Sequence, residues 1–187
     1  SVPFNDTDAL ASVLEKLDGK VAGLIMEPAM MNINIIPPVE GYLERVRELT
    51  TEHGAVLIFD EVKTGAAVAA GGATELFGVT PDVVCLAKAI CGGLPGGAVG
   101  MTEELGALVA DGRVRQQGTF NGNPLVMAAA RATLLDVLTP AAYEQLHRAN
   151  ASLMAGCDRL SQAPSFQKFT GSADMVLATQ LEVHHVH

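Results

Sequence analysis

The stretch VVCLAKAICGGLPGG, residues 83–97, combines an apolar run, a single lysine and a cluster of glycines. Seven of the eight residues from Val83 to Ile90 are apolar, and the eighth is Lys88. Burying an ammonium group without a partner is costly, so a lysine is rare inside such a run. A desolvated lysine presents a free amine, which can form a Schiff base with a carbonyl compound. The alternative is a strand-end lysine whose charged group reaches water.

Three short apolar runs predict buried β-strands in the first half of the chain. They are VAGLIM (21–26), AVLIF (55–59) and residues 82–86. Segments with helical spacing of apolar residues lie before and between these runs, and they end near Gly19 and Gly54. Since long crossovers between apolar strands favour parallel pairing, the sequence predicts an α/β fold. We expect three layers, with helices on both faces of a mainly parallel sheet.

The rest of the sequence predicts a return strand, three helices and one further strand. The return strand covers residues 98–101, and Thr102 caps a short helix after it. Asn123 and Pro124 begin a helix, and Thr139 begins a last, long one. The expected buried face of the Pro124 helix is Leu125, Ala128, Ala129, Ala132 and Leu135. Residues 175–182 alternate enough to predict another strand.

Charged side chains follow each of the three predicted parallel strands. Glu27 comes directly after the first strand, Asp60 after the second, and Lys88 just after the third. In sheets of this kind, ligands bind at the carboxyl ends of the strands. An acid and a lysine that converge at this edge predict an active site.

The segment GTFNGNP, residues 118–124, places a hydroxyl group and backbone amides before a predicted helix. Amides at a helix N-terminus attract anions, so this segment is a candidate anion site. An ordinary turn capped by Asn123 accounts for the same residues equally well, and the sequence leaves both interpretations open.

The composition argues against two classes of partner. The chain has 187 residues, of which 49% are apolar, and its formal net charge is −9. It has no cluster of lysine or arginine, so we expect no nucleic-acid partner. No apolar stretch approaches the roughly 20 residues of a membrane-spanning helix, so we expect no membrane partner. Residues 1–8 are polar and acidic, unlike a signal peptide.

The cysteines and histidines predict no metal site. Cys85, Cys91 and Cys157 are odd in number and lack the spacing of metal ligands. We expect them to be small buried residues in a reducing, cytoplasmic compartment. The segment LEVHHVH, residues 181–187, is either an altered histidine tag or part of a strand, and we expect a tail rather than a metal site.

Four segments of the sequence carry a resemblance to a known family. They are EPAMMN (27–32), LIFDEVKTG (57–65), FGVTPDVVCLAKAICGGLPGGAVG (77–100) and GTFNGNPLVMAA (118–129). In order and spacing they resemble the class III pyridoxal-phosphate-dependent aminotransferases, most closely the glutamate-1-semialdehyde aminomutase branch. That family's chains are more than twice as long, so we expect this sequence to be the central part of the large domain.

The resemblance implies roles for three residues at the strand ends. Lys88 looks like the lysine that forms a Schiff base with pyridoxal 5′-phosphate. Asp60 looks like the carboxylate that pairs with the pyridine nitrogen of the cofactor, and Val62 like a residue packed on one face of the ring. These implied roles agree with the independent prediction of an active site at Asp60 and Lys88.

The resemblance also implies contacts beyond the strand ends. Thr119 looks like a phosphate-binding threonine that reaches across a dimer interface, so a homodimer is expected. Glu27 and Asn32 match family positions near the cofactor. Lys63 departs from the family, which often has methionine or glutamine at this position.

The resemblance implies an enzyme that transfers an amino group between an amino acid or amine and a keto or aldehyde acceptor. The alternatives are an intramolecular aminomutase of the glutamate-1-semialdehyde type, a racemase or decarboxylase on the same fold, and a truncated, non-catalytic fragment. Residues 1–160 are expected to belong to the large domain of a fold type I enzyme, and 161–187 to the start of a small domain or a tail. Ala66 and Ala67 replace an aromatic residue and an arginine common in the family, which leaves recognition of a substrate carboxylate unassigned.

Overall fold

One four-stranded sheet organises residues 1–162, which are the residues that the computed structural model describes. Its strands lie side by side in chain order: β1 (Gly23–Met26), β2 (Val56–Asp60), β3 (Val83–Ala87) and β4 (Gly97–Met101). β1, β2 and β3 are parallel, and β4 is antiparallel to β3. The predicted α/β class with a mainly parallel sheet is thereby confirmed.

Helices lie before, between and after the strands. The described residues form α1 (Thr7–Leu17), α2 (Tyr42–Glu52), α3 (Gly72–Phe77), α4 (Glu103–Ala110), α5 (Pro124–Ala132) and α6 (Pro140–Ser161). A 3₁₀ turn, Lys88–Cys91, follows β3, and a π turn, Thr133–Val137, follows α5. Side-chain caps begin four of the helices, at Asp6, Thr102, Asn123 and Thr139, and the last three are helix starts that the sequence predicts.

The main hydrophobic core lies between one face of the sheet and the first two helices. Leu57 and Phe59 of β2 are fully buried there. They pack with an apolar stripe from α1 and α2 that comprises Leu10, Leu14, Leu43, Val46 and Leu49. Because strand side chains alternate between faces, Ile58 and Asp60 point to the opposite face of the sheet.

That opposite face carries an apolar row that is accessible in residues 1–162. The strand register aligns Ile25, Ile58, Val83 and Met101 across the four strands. Ile25 is 63% exposed and Met101 is 37% exposed. Asp60 therefore points to the open face, away from the side that α1 and α2 cover.

A second, smaller cluster joins the 3₁₀ turn to α5. Ile90 and Cys91 of the turn are buried with Ala66, which lies in the loop after β2. Val126 and Ala130 of α5 pack against these three residues. The start of α5 is therefore fixed relative to the end of β3.

The inward face of α5 differs from the prediction. Val126 and Ala130 contact the protein, whereas Leu125 and Leu135 are 70% and 62% exposed. This alanine-rich helix has apolar residues on more than one side, so its periodicity does not decide which side packs. The packing partner decides it, because the 3₁₀ turn presents Ile90 and Cys91 to the Val126 side.

Several predictions fall on residues 163–187, outside the described part of the chain. They are the strand at 175–182, the histidine-containing end at 181–187, and the division of the chain after residue 160. No single helix in residues 1–162 is long and apolar enough to cross a membrane. The segment Pro124–Val137 and α6 reach that length and composition only as a pair, across a 77° bend.

Candidate active site

Three charged residues lie at the carboxyl edge of the parallel strands. Asp60 is the last residue of β2, Glu27 directly follows β1, and Lys88 directly follows β3. Because adjacent parallel strands end at the same edge, the three positions are neighbours there. Asp60 pairs in register with Cys85, three residues before Lys88 in the chain. The structure therefore brings the predicted acid and lysine to one edge of the sheet.

Lys88 has a left-handed backbone conformation, with φ of 50°. A residue with a side chain rarely adopts it, because the conformation costs about 1–2 kcal/mol. Such strain persists where the surrounding packing imposes it. Here Ile90 and Cys91, in the turn that Lys88 begins, are only 5% and 1% exposed. Packing of the turn thus sets the backbone from which the Lys88 amine projects.

The predicted burial of Lys88 is wrong for the part of the chain that the structure describes. Its side chain is exposed, and the buried members of the apolar run are Ile90 and Cys91. The residues of β3 are only half-buried, because the sheet face that carries Val83 and Cys85 is open. In residues 1–162 the Lys88 amine reaches water, and its role as a Schiff-base lysine stays a prediction.

Asp60 is half-buried, and its Oδ1 accepts a hydrogen bond from the backbone N–H of Val62 at 3.0 Å. This bond fixes the two residues relative to one another. Among residues 1–162, no lysine, arginine or histidine lies within 4.0 Å of the Asp60 carboxylate. The charge of Asp60 acts on its cross-strand neighbour instead: burial and, after it, the Asp60 carboxylate raise the pKa of the Cys85 thiol.

Glu27 and Asn32 are joined directly. Glu27 Oε1 accepts a hydrogen bond from Asn32 Nδ2 at 2.9 Å, and Glu27 Oε2 accepts one from Met31 N at 2.9 Å. The Met31 carbonyl oxygen in turn accepts a hydrogen bond from Lys63 Nζ at 2.7 Å. Met31 thus links Glu27, after β1, to Lys63, after β2. The two predicted residues, Glu27 and Asn32, hold together the loop that follows β1.

Thr119 is exposed, in the turn before α5. The amides at the start of this helix are already engaged, because Asn123 Oδ1 accepts hydrogen bonds from Leu125 N at 3.0 Å and Val126 N at 3.3 Å. The turn capped by Asn123 is therefore present, and the anion site at this segment stays a prediction. The Thr119 hydroxyl remains accessible beside Phe120, which is 81% exposed.

Glu61 was not among the residues that the sequence singled out. It lies between Asp60 and Val62 and is 1% exposed. Its carboxylate accepts hydrogen bonds from Thr64, Ala73 and Thr74. No local pattern identifies it, because two of these partners lie on α3, more than ten positions along the chain.

The amine and the carboxylate at this edge of the sheet can each make a specific interaction with a ligand. An exposed primary amine can add to a carbonyl group, and a carboxylate without an ion-pair partner can accept a hydrogen bond from a protonated nitrogen. Lys88 and Asp60 supply these two groups at the ends of adjacent strands. A ligand with both a carbonyl carbon and a basic nitrogen would fit them.

Comparisons with known proteins identify the family of this chain. The model of the class-III aminotransferase family matches residues 3–179. Glutamate-1-semialdehyde 2,1-aminomutase of Roseiflexus castenholzii is 45% identical over 180 residues, which is 96% of this chain and 39% of that protein. Glutamate-1-semialdehyde 2,1-aminomutase 2 of Brevibacillus brevis is 46% identical over 157 residues, 83% of this chain and 37% of that protein. The chain belongs to the class III aminotransferase family, and it spans about two fifths of the length of these relatives.

Solved structures place the same fold in two kinds of enzyme. An omega-transaminase from Sphaerobacter thermophilus is similar with a TM-score of 0.79 and 34% identity, over 90% of this chain and 38% of that one. A glutamate-1-semialdehyde aminomutase from Pseudomonas aeruginosa in complex with PMP is similar with a TM-score of 0.75 and 35% identity, over 83% of this chain and 36% of that one.

Proposed function

We propose that the protein carrying this chain binds pyridoxal phosphate through Lys88 and transfers an amino group between two small molecules. The donor is an amino acid or amine, and the acceptor is a keto or aldehyde compound. One observation carries the proposal: Lys88 and Asp60 lie at the carboxyl ends of adjacent parallel strands in a member of the class III aminotransferase family.

The residues present fit this cofactor by their chemistry. Pyridoxal phosphate supplies an aldehyde, which reacts with amines, and a ring that takes up an electron pair when its nitrogen is protonated. Lys88 offers the exposed amine, and Asp60 offers a carboxylate free of ion-pair partners among residues 1–162. Val62, whose backbone N–H donates to Asp60 Oδ1, offers an apolar side chain.

Lys88 has two roles in this proposal. Its Nζ would hold the cofactor covalently through the aldehyde carbon. When not so attached, the same amine would act as an acid and a base that moves a proton at the substrate. The imposed backbone conformation at Lys88 suits both roles, because the amine must return to the same position in each cycle.

Asp60 has an electrostatic role. As an anion it accepts a hydrogen bond from the ring nitrogen and keeps the proton there. This carboxylate is positioned in advance, because Oδ1 already accepts the Val62 amide at 3.0 Å. A preorganised charge of this kind stabilises the charge that develops during reaction without a cost of reorientation.

We further propose that the protein is a homodimer in which Thr119 donates its hydroxyl group to the cofactor phosphate of the partner subunit. Thr119 is exposed, as are Phe120, which follows it, and Leu125 in the first turn of α5, at 81% and 70%. Exposed large apolar side chains favour a protein interface. Glu27 and Asn32, which close the loop after β1, are assigned to the border of the cofactor site.

An intramolecular aminomutase is the second candidate. It is supported by the relatives named glutamate-1-semialdehyde 2,1-aminomutase, which are 45% and 46% identical to this chain. Both reactions use the same assigned residues, so the site residues alone do not separate them. Dependence on an external acceptor does separate them, because a mutase returns the amino group to the molecule that supplied it.

An amino-transfer assay on the whole protein tests both candidates. Glutamate-1-semialdehyde is supplied with and without an external keto acid, and a panel of amines is supplied with the keto acid. Transfer that requires the acceptor supports the transaminase, and turnover of the semialdehyde alone supports the mutase. Lys88→Ala should abolish either activity, whereas Lys20→Ala, at an exposed lysine before β1, should not. Undiminished turnover by Lys88→Ala would refute the proposal.

A further inference from the structure

The carboxylate of Glu61 is buried at the carboxyl end of β2, directly after Asp60. Asp60 points to the open face of the sheet, whereas the Glu61 side chain is 1% exposed. A buried carboxylate is costly unless several donors satisfy it. Since the proposed site includes both chain neighbours of Glu61, the surroundings of this carboxylate bear on the geometry of that site.

Four hydrogen bonds satisfy the Glu61 carboxylate. Oε2 accepts from Ala73 N at 2.6 Å and from Thr64 Oγ1 at 3.0 Å. Oε1 accepts from Thr74 N at 2.9 Å and from Thr74 Oγ1 at 2.6 Å. Ala73 and Thr74 lie in the first turn of α3, so the carboxylate engages amides that the helix itself leaves without partners. Among residues 1–162 no cationic side chain pairs with it.

Two glycines allow close packing around Glu61, one at its carboxylate and one at its backbone carbonyl. A Cβ atom on Gly72, where φ is +66°, would overlap Glu61 Oε2. A Cβ atom on Gly65 would overlap a Leu86 methyl group and lie 2.7 Å from the Glu61 carbonyl oxygen. The loop between β2 and α3 is therefore packed closely around Glu61, and the carboxylate has little freedom to move.

The backbone of Glu61 is held as firmly as its side chain. Its N–H donates to the Cys85 carbonyl oxygen at 3.0 Å, and its carbonyl oxygen accepts from Gly65 N at 2.8 Å. Cys85 is the residue paired with Asp60 across the strands. Glu61 thus ties the end of β2 both to β3, which leads to Lys88, and to α3.

We propose that Glu61 is a positioning residue for the proposed cofactor site, which holds the Asp60 carboxylate in place through its contacts with Thr64, Ala73 and Thr74. This inference rests on the proposed function, because Asp60 needs a fixed position only if it serves a bound ring nitrogen. Glu61 itself touches no reacting atom. It acts through the backbone that it shares with Asp60 and Val62.

The variant Glu61→Gln separates a purely structural role of this carboxylate from a role in positioning Asp60. The side chain keeps its shape, but its NH₂ group faces donors and leaves some of them unsatisfied. The end of β2 then loses its fixed position, and the Asp60 carboxylate holds the proton on the ring nitrogen less well. The effect is therefore measured as protonation of the ring nitrogen of the bound cofactor. A purely structural role of Glu61 would leave this protonation unchanged.

The test is a pH titration of the bound cofactor in the whole protein. Absorbance spectra and nitrogen-15 signals of the labelled ring are recorded for the wild type, Glu61→Gln, Thr74→Val and Thr50→Val. Thr74→Val removes the 2.6 Å bond to Oε1 and keeps the carboxylate, so it carries the test if Glu61→Gln does not fold. Thr50→Val is the matched control, because Thr50 is equally buried but bonds within α2.

We expect Thr74→Val, and more strongly Glu61→Gln, to lower the protonated fraction of the ring nitrogen. We also expect each to weaken cofactor binding, by about threefold and tenfold respectively. Thr50→Val should lower thermal stability and leave both readouts unchanged. A folded Thr74→Val with wild-type spectra and affinity would overturn the inference. If the wild type binds the cofactor without forming an adduct at Lys88, both the proposed function and the inference about Glu61 are wrong. If the wild type forms the Lys88 adduct and the variants behave like the wild type, only the inference about Glu61 is wrong.

Discussion

Lys63 donates a hydrogen bond from Nζ to the Met31 carbonyl oxygen at 2.7 Å, and this bond joins the loops that follow β1 and β2. The N–H of the same residue, Met31, donates to Glu27 Oε2 at 2.9 Å. The backbone of Met31 is therefore held at its N–H by Glu27 and at its carbonyl oxygen by Lys63. The loop after β1 is fixed in this way beside the strand that ends in Asp60.

Replacing Lys63 by methionine tests this link. Lys63→Met keeps most of the side-chain volume and removes the donor, so the loop after β1 should open more often. We expect a loss of about 1 kcal/mol in the free energy of unfolding, because the bond is only part-buried. Hydrogen exchange at the Met31 amide should also become faster.

The matched control for this prediction is Lys20→Met, which removes an exposed lysine. It should leave the Met31 amide as protected as in the wild type. Equal exchange rates at Met31 in the wild type and in Lys63→Met would show that the 2.7 Å bond does not restrain the loop.

Two glycines with similar backbone angles should differ sharply in their tolerance of alanine. Gly19 has φ of +70° and open space where a Cβ atom would lie, whereas a Cβ atom on Gly72, with φ of +66°, would overlap Glu61 Oε2. Gly19→Ala should cost about 1 kcal/mol of stability from the backbone alone. Gly72→Ala should cost about 3 kcal/mol or more, because the overlap adds to the backbone term. Urea unfolding of the two variants measures the difference, and equal costs would contradict the packing around Glu61.

The strands were the part of this fold most open to prediction from sequence. Parallel strands between covered layers are continuous apolar runs, and three such runs lead to β1, β2 and β3 within one or two residues at each end. The strand-end positions of Glu27, Asp60 and Lys88 followed from the same runs, because a position at a strand end depends only on where the strand ends. Helix caps at Thr102 and Asn123 were equally local signals.

Features that depend on distant contacts were not predictable in this way. The exposure of Lys88 depends on which sheet face is covered, and an apolar run carries no information about that. The inward side of α5 is set by Ile90 and Cys91, which lie in another element. In the sequence, nothing distinguishes Glu61 from other acids at strand ends, because its partners Ala73 and Thr74 lie on α3, more than ten positions away.

The Cys85 thiol should react slowly with alkylating agents near neutral pH. Burial and then the charge of Asp60 raise its pKa, so less of the reactive thiolate is present than for an ordinary cysteine. Asp60→Asn removes the second of these causes and keeps the first. In the cofactor-free protein, this variant should therefore shift the alkylation midpoint of Cys85 to lower pH, while the midpoint stays above the ordinary value.

Peptide mapping after timed iodoacetamide treatment measures this shift, with Cys157 on α6 as the internal reference. The sign also has a consequence for stability. A thiol whose folded pKa is raised keeps its proton longer in the folded state, so stability should fall as pH rises from the unfolded pKa towards the folded one. An alkylation midpoint that stays constant or rises in Asp60→Asn would show that the Asp60 charge does not act on Cys85.

The start of β3 should be sensitive to loss of one carboxylate. Asp82 Oδ2 accepts hydrogen bonds from Leu57 N at 2.7 Å and from Arg47 Nη1 at 2.9 Å, and it thereby ties β2 and α2 to β3. Asp82→Ala should lower the free energy of unfolding by about 2 kcal/mol, since a backbone amide and an arginine both lose their partner.

Asp111→Ala is the control for that variant. Its ion pair with Arg113 is 3.1 Å long, but both side chains are at least 60% exposed, so we expect a cost below about 0.5 kcal/mol. Chemical denaturation of the two variants gives the comparison. A cost for Asp82→Ala as small as that for Asp111→Ala would remove Asp82 from the contacts that hold the sheet.

The most direct test of the central claim is to find where the protein attaches pyridoxal phosphate. The purified whole protein is incubated with the cofactor, reduced with borohydride, digested and analysed by peptide mass spectrometry, with Lys88→Ala treated in parallel. We predict one adduct, on Lys88, and none at other lysines in either protein. An adduct confined to another lysine, adducts spread over several lysines such as Lys20 and Lys63, or no adduct at all would contradict the assignment of Lys88 as the cofactor lysine.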